Sequence, residues 1–153
     1  MTTSSPPPAA AHHPLLARLA ALPDARWVDA DSLPDFLALQ GAQVLVLAGD
    51  PVQFPEGLDV AVVLPELRRH LGASFGIGVV PRAAEAAVAA RFGSQRWPSL
   101  LFFTDGQYQT VLPGMHDWTV YLDKLRAALA APVSRPPSVG IAVVSATGTG
   151  ACA

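Results

Sequence analysis

The stretch from Trp97 to Gly114 narrows the folds open to this chain more than any other segment. Ser99 to Thr104 (SLLFFT) is an apolar run of strand length, Asp105-Gly106 is a two-residue turn signal, and Gln107 to Leu112 (QYQTVL) leads back. Asp-Gly supplies the backbone conformations a tight hairpin demands, so the two runs are predicted to pair antiparallel. Pro113-Gly114 breaks the second strand, and Pro98 stands directly ahead of the first.

Upstream, Gln43 to Ala48 (QVLVLA) is continuously apolar between Gly41 and Gly49-Asp50-Pro51, the pattern of a strand buried on both faces in mid-sheet. Arg26-Trp27-Val28 and Phe75 to Val80 (FGIGVV) read as two further strands. Asp31-Ser32 caps a short helix with Pro34 near its start and Leu33, Phe36, Leu37 and Leu39 on its apolar side, ended by Gly41. A second helix is predicted to begin with Asp59 as its cap, to turn Val60, Val63, Leu64, Leu67 and Leu71 inward, and to kink at Pro65. Ala83 to Phe92 (AAEAAVAARF) is a strong helix former stopped by Gly93. A closing helix presents Trp118, Tyr121, Leu122, Leu125 and Leu129 on one face. The order is β-α-β-α-β-α-β-β-α, an α/β class with a mixed four- to five-stranded central sheet flanked by helices.

The 153 residues suit one domain. Residues 1–13 (MTTSSPPPAAAHH) lack periodicity and are expected to form a disordered tail, residues 14–131 the folded domain, and residues 132–153 a flexible C-terminal tail in which only Ile141 to Val144 has strand character. No stretch reaches the ~20 apolar residues of a membrane span, so no membrane insertion is expected. The N-terminus shows no basic region followed by an apolar one, so a cytoplasmic location is the expectation. A net charge of -2 speaks against nucleic acid as the main partner. Residues 1–66 carry eight acids and two bases, and the remainder four acids and eight bases. That asymmetry suits a basic partner, or else reflects solvated charges scattered once the chain is folded.

Cysteine sets the chemical limits. The only one, Cys152, stands in a Gly-, Ala- and Thr-rich stretch, so an internal disulfide, a CxxC redox pair and a cysteine-built metal site are all excluded. His12-His13 lies in the expected tail, where two ligands without a scaffold hold metal poorly. His70 and His116 have no catalytic partner evident in sequence, Arg68-Arg69 reads as a solvated helix face, and no GxSxG, P-loop or HExxH motif occurs. Neither a catalytic residue nor a cofactor or metal site is expected.

The succession of elements, with Pro65 inside the second helix and Trp97-Pro98 ahead of the hairpin, resembles the thioredoxin fold over about residues 24–131. The resemblance implies a cis peptide bond at Pro98 and places the family's two active-site cysteines at Gly57 and Val60, where neither sulfur is present. The wording of the segments is narrower still. Leu47-Ala48-Gly49-Asp50-Pro51, Phe54-Pro55-Glu56, the run Asp59 to Leu67 (DVAVVLPEL), Arg91-Phe92-Gly93, Arg96-Trp97-Pro98-Ser99-Leu100 and Asp117-Trp118 resemble the HyaE/HoxO type of hydrogenase expression protein. That resemblance implies a thioredoxin-like cytoplasmic assembly chaperone without CxxC. It would bind the small-subunit precursor of an uptake [NiFe]-hydrogenase through its twin-arginine signal peptide, with another hydrogenase assembly factor as a further partner. A redox-inactive thioredoxin-like adaptor for another complex is the alternative; an enzyme of the same fold is disfavoured, because the groove offers no nucleophile.

Such domains hold extended peptides between the former active-site loop and the cis-Pro loop, here Gly49 to Val60 and Arg96 to Pro98. Asp50, Glu56, Asp59 and Glu66 would form an acidic margin for paired arginines, whose planar forks match carboxylates. Phe54, with Val52 and Leu58, would suit an apolar part of the peptide, beside Trp97 and Pro98. Each also has a plainer role: Asp59 as a cap, Phe54 and Trp97 as packing, Pro98 as a structural proline.

Overall fold

The strand predicted to lie in mid-sheet does so because every residue of Gln43 to Leu47 is buried. In the computed structural model, which describes residues 12–137, the elements run α1 (Pro14–Ala20), β1 (Ala25–Trp27), α2 (Leu33–Leu37), β2 (Ala42–Leu47), α3 (Glu56–Leu71), β3 (Gly76–Val79), a 3-10 turn (Arg82–Ala84), α4 (Glu85–Phe92), β4 (Ser99–Thr104), β5 (Gln107–Pro113) and α5 (Trp118–Leu129). The five strands stand in the order β1-β3-β2-β4-β5. β3 is parallel to β1 and β2, and β4 is antiparallel to both β2 and β5. One row crosses the whole sheet as Ala25, Ile77, Val44, Phe102 and Thr110. This mixed order, closed by the late hairpin, is the thioredoxin-like arrangement.

Alternation along the strands divides the apolar residues between the two faces. Val44, Val46, Ile77, Val79, Leu100 and Phe102 face a core shared with α1, α3 and α5. Leu45, Leu47, Leu101, Phe103 and Tyr108 face a second core completed by Phe36 of α2 and by Val88, Ala89 and Phe92 of α4. Each such side chain contributes roughly 1.5–3 kcal/mol on burial, and the runs Val44 to Leu47 and Leu100 to Phe103 carry no polar interruption.

Several local features depart from expectation. α1 was not anticipated: Pro14 opens it, His13 Nδ1 accepts from the Leu15 N–H at 3.1 Å, and Leu16, Leu19 and Ala20 are buried. His12, expected in the tail, stacks on Trp27 at 4.0 Å between ring centroids. α3 begins at Glu56 with Pro55 as its N-cap, so Asp59 does not cap it but stands in its first turn. The reason is that Pro55 already holds a helical φ of -60°, and the Leu58 N–H reaches the Pro55 carbonyl at 3.1 Å. The helix then continues through Pro65 to Leu71. Trp118 does not share the inward face of α5, which consists of Tyr121, Leu122, Leu125 and Ala128; standing at the first residue of the helix, it is 42% exposed and meets His70 edge to face. At α2, Ser32 makes no side-chain bond into the helix. Instead its Oγ accepts from the Asp29 N–H, while Asp29 Oδ1 accepts from the Ser32 N–H, both at 2.9 Å. The bonds from Ser32 hold the Asp29 carboxyl below the usual range.

Residues 132–137, assigned from sequence to the C-terminal tail, lie along β5. The Ser134 N–H donates to the Tyr108 carbonyl and the Ser134 hydroxyl to the Gln109 carbonyl, each at 2.8 Å. Gln109 Nε2 in turn donates to the carbonyls of Leu129 at 3.3 Å and Ala131 at 2.7 Å, binding the end of α5 to the same strand. Farther along, Pro137 presses its carbonyl on Gly93. The rest of both expected tails, residues 1–11 and 138–153 with Cys152 and the run Ile141 to Val144, lies outside the described residues.

Candidate functional site

The loop leaving β2 turns at Gly49, whose φ of +85° is one that other residues rarely adopt. A side chain there would also have no room: its Cβ would stand 2.9 Å from Phe54 Cδ2 and equally close to Trp97 Cβ and Cδ1. The chain then folds back on itself, with Asp50 Oδ1 accepting from the Val52 N–H at 3.0 Å and the Asp50 carbonyl from the Phe54 N–H at 2.7 Å. This return sets the Phe54 ring beside Trp97, with centroids 6.3 Å apart and planes inclined by 26°.

On the opposite side stands the Trp97-Pro98 peptide bond, which is cis. Ser99 Oγ donates to the Arg96 carbonyl at 2.6 Å, and the Gly114 N–H donates to the Pro98 carbonyl at 2.7 Å, so both ends of the hairpin hold this turn. The Trp97 indole nitrogen is enclosed and has no hydrogen-bond partner. A cavity of about 300 Å³ opens between the two loops, lined by Gly49, Asp50, Gln53, Phe54, Arg82 and Trp97, among others. Two aromatic faces and charges of both signs make it a place for an amphipathic side chain. No thiol or hydroxyl nucleophile belongs to its lining.

Beneath the loop lies Glu85, the first residue of α4 and only 1% exposed. One carboxylate oxygen accepts from the Gly49 N–H at 2.8 Å, and the other from Arg82 Nη1 at 3.2 Å. Burial raises the Glu85 carboxyl above the usual range, opposed by the Gly49 amide and the Arg82 charge. Sequence reasoning missed this group. The available signal was a glutamate on the same helical face as Val88, Ala89 and Phe92, three, four and seven residues on.

The structure brings Asp50, Phe54 and Trp97 together in the cavity lining, whereas Pro98 is buried and does not belong to that lining. Glu56 and Asp59 are exposed in the first turn of α3, where carboxylates also complement the helix dipole. Glu66 stands apart, about 15 Å along the helix from Glu56 at the usual rise per residue. It pairs with Arg69 and lines a separate cleft with Leu15, Arg18 and Pro65. Val52 is 89% exposed at the loop tip, whereas Leu58 packs on the core.

The two positions at which the resemblance would place cysteines are closed to them rather than merely substituted. Gly57 is buried in the first turn of α3, and a Cβ there would lie 2.9 Å from the Ala48 carbonyl carbon and nearer still to its oxygen. Val60 is 1% exposed and belongs to the core. Among the described residues no three His, Cys, Asp or Glu side chains converge as metal ligands, and no helix is long and apolar enough to cross a membrane.

Comparison with known proteins identifies this arrangement. The family model described as hydrogenase-1 expression protein HyaE matches residues 15–121. The hydrogenase expression/formation protein HoxO of Cupriavidus necator is 53% identical over 141 residues, covering 91% of this chain and 88% of that protein. HupG of Bradyrhizobium diazoefficiens, another hydrogenase expression/formation protein, is 37% identical over 121 residues, covering 76% and 82%. A crystal structure of a putative HupG from Rhodopseudomonas palustris is 38% identical and superposes with a TM-score of 0.48, covering 68% of this chain and 94% of that one. The chain belongs to the HyaE family of hydrogenase expression proteins.

Proposed function

We propose that this protein is a non-enzymatic, cytoplasmic assembly chaperone for an uptake [NiFe]-hydrogenase, holding the small-subunit precursor by its twin-arginine signal peptide until export. The family supports a role in hydrogenase expression. The observation that carries the finer reading is the cavity between Phe54 and the cis Trp97-Pro98 turn, in a scaffold whose thiol position at Gly57 is sterically closed. An extended peptide pairs with the backbone ahead of Pro98, its apolar part rests on Phe54 and Trp97, and its arginines meet Asp50, Glu56 and Asp59. Glu66, on a different cleft, is the least suited of the four acids to the same contact. A second hydrogenase assembly factor is a further partner in this scheme. No cofactor has a role in it.

Co-purification tests the reading. The full-length protein is expected to capture the small-subunit precursor, to lose it when the twin-arginine peptide is deleted, and to bind it more weakly and with less salt dependence after Asp50→Lys, Glu56→Lys and Asp59→Lys. Capture that survives deletion of the peptide, or no capture at all, overturns it.

A further inference from the structure

Glu85 is a costly residue where it stands. The neighbouring positions on its helix face are Val88, Ala89 and Phe92, and an apolar side chain would fill the same space without desolvating a carboxylate. Its oxygens are satisfied by two groups, the Gly49 amide and the Arg82 guanidinium, and both line the Phe54–Trp97 cavity. Gly49 is the point where the two aromatic side chains converge, so whatever fixes Gly49 fixes their separation.

We propose that Glu85 is the positioning residue of this cavity, anchoring Gly49 between Phe54 and Trp97 and holding the Arg82 guanidinium at the rim. Arg82 is thereby neutralised, which leaves Asp50 to set the sign of the lining. Arg82 on the 3-10 turn is the charged group that Glu85 contacts, and Asp50 on the loop is the other charged group of the cavity lining. Protonation of Glu85 releases Arg82 to offset Asp50 and takes the cavity from attracting a cationic peptide to near neutrality. This last step rests on the peptide reading; the anchoring does not. The raised proton affinity of Glu85 brings the change closer to neutral pH than for an ordinary glutamate.

The test uses the full chain with Trp27→Phe and Trp118→Phe, which leaves Trp97 as the sole indole reporter. Its emission is expected to titrate with a midpoint above the ordinary glutamate value, and the transition is expected to vanish in Glu85→Gln, which keeps an acceptor for Gly49. Arg82→Gln is expected to move the midpoint upward, because a cation beside the carboxylate is lost. A synthetic twin-arginine peptide is expected to bind about tenfold more weakly to Glu85→Gln, and its affinity to lose the change with pH that accompanies the Trp97 emission titration in the parent, since Arg82 is left uncompensated. An emission titration unchanged in Glu85→Gln overturns the anchoring. A parent protein that shows the Glu85-dependent titration but never binds the peptide upholds the anchoring and overturns the peptide reading.

Discussion

Gly57→Ala separates two opposing expectations. Position 57 is inside the first turn of α3 with no unusual backbone angle, and in an ordinary helix alanine is favoured over glycine by about 1 kcal/mol. The structure predicts the reverse sign. The added methyl would sit 2.9 Å from the Ala48 carbonyl carbon and 3.2 Å from its Cα, against a strand end that is itself buried. Neither atom belongs to a flexible side chain, so relief requires β2 and α3 to separate, and overpacking of this kind costs typically 1–3 kcal/mol. The strand-end contact places the substitution at or beyond the upper end of that range, giving a net loss of about 2 kcal/mol after the propensity gain. For a domain of this size that corresponds to a fall in Tm of roughly 5–10 °C, accompanied by a lower urea midpoint at unchanged slope. A Gly57→Ala protein as stable as its parent, or more so, would refute the argument that this site is closed to any side chain.

Three further outcomes follow from the same geometry. Tyr121 is wholly buried with a hydroxyl lacking any partner, and burial raises its ionisation above the usual tyrosine range. Tyr121→Phe is therefore expected to be neutral or to stabilise by up to about 1 kcal/mol in urea unfolding; a clear loss would reveal a hydrogen bond not seen here. Gln109→Ala removes the donor to the Leu129 and Ala131 carbonyls and is expected to cost about 1–2 kcal/mol, with faster amide exchange at the end of α5. Unchanged exchange there would count against the tie. Because the folded-state pKa of Glu85 is raised, its contribution to stability falls as pH rises from the ordinary glutamate range through the folded value. Unfolding midpoints across that interval should slope downward more in the parent than in Glu85→Gln, and equal slopes would assign the dependence to other groups.

The hairpin, the buried β2 run and the Gly93-stopped helix were legible because each carries its own punctuation in consecutive residues. What escaped was information held between elements. α1 has only seven residues beside a Pro- and Ala-rich stretch, and its helical character depends on packing against α3 more than on local pattern. Asp59 looked like a cap because carboxylates favour helix starts; that Pro55 could open the helix earlier became visible only with the loop in place. At the site, the pairing of the loop with Trp97-Pro98 was readable from a family resemblance, but the role of Glu85 was not. Its partner Gly49 lies 36 residues away, and nothing in either segment alone announces the contact.

The bond from Ser134 to Tyr108 bears on how this molecule behaves among other chains. An open strand edge is a template on which a neighbouring polypeptide can add its own strand. Here the β5 edge is occupied by the protein's own residues 132–137 at its start, and β1 at the far side is only three residues long. The sheet thus offers little length in either direction for an incompletely folded partner to extend. A chaperone of export precursors, as proposed, could then hold such a partner at its loops and release it again, without its own sheet becoming the seed of a joint aggregate.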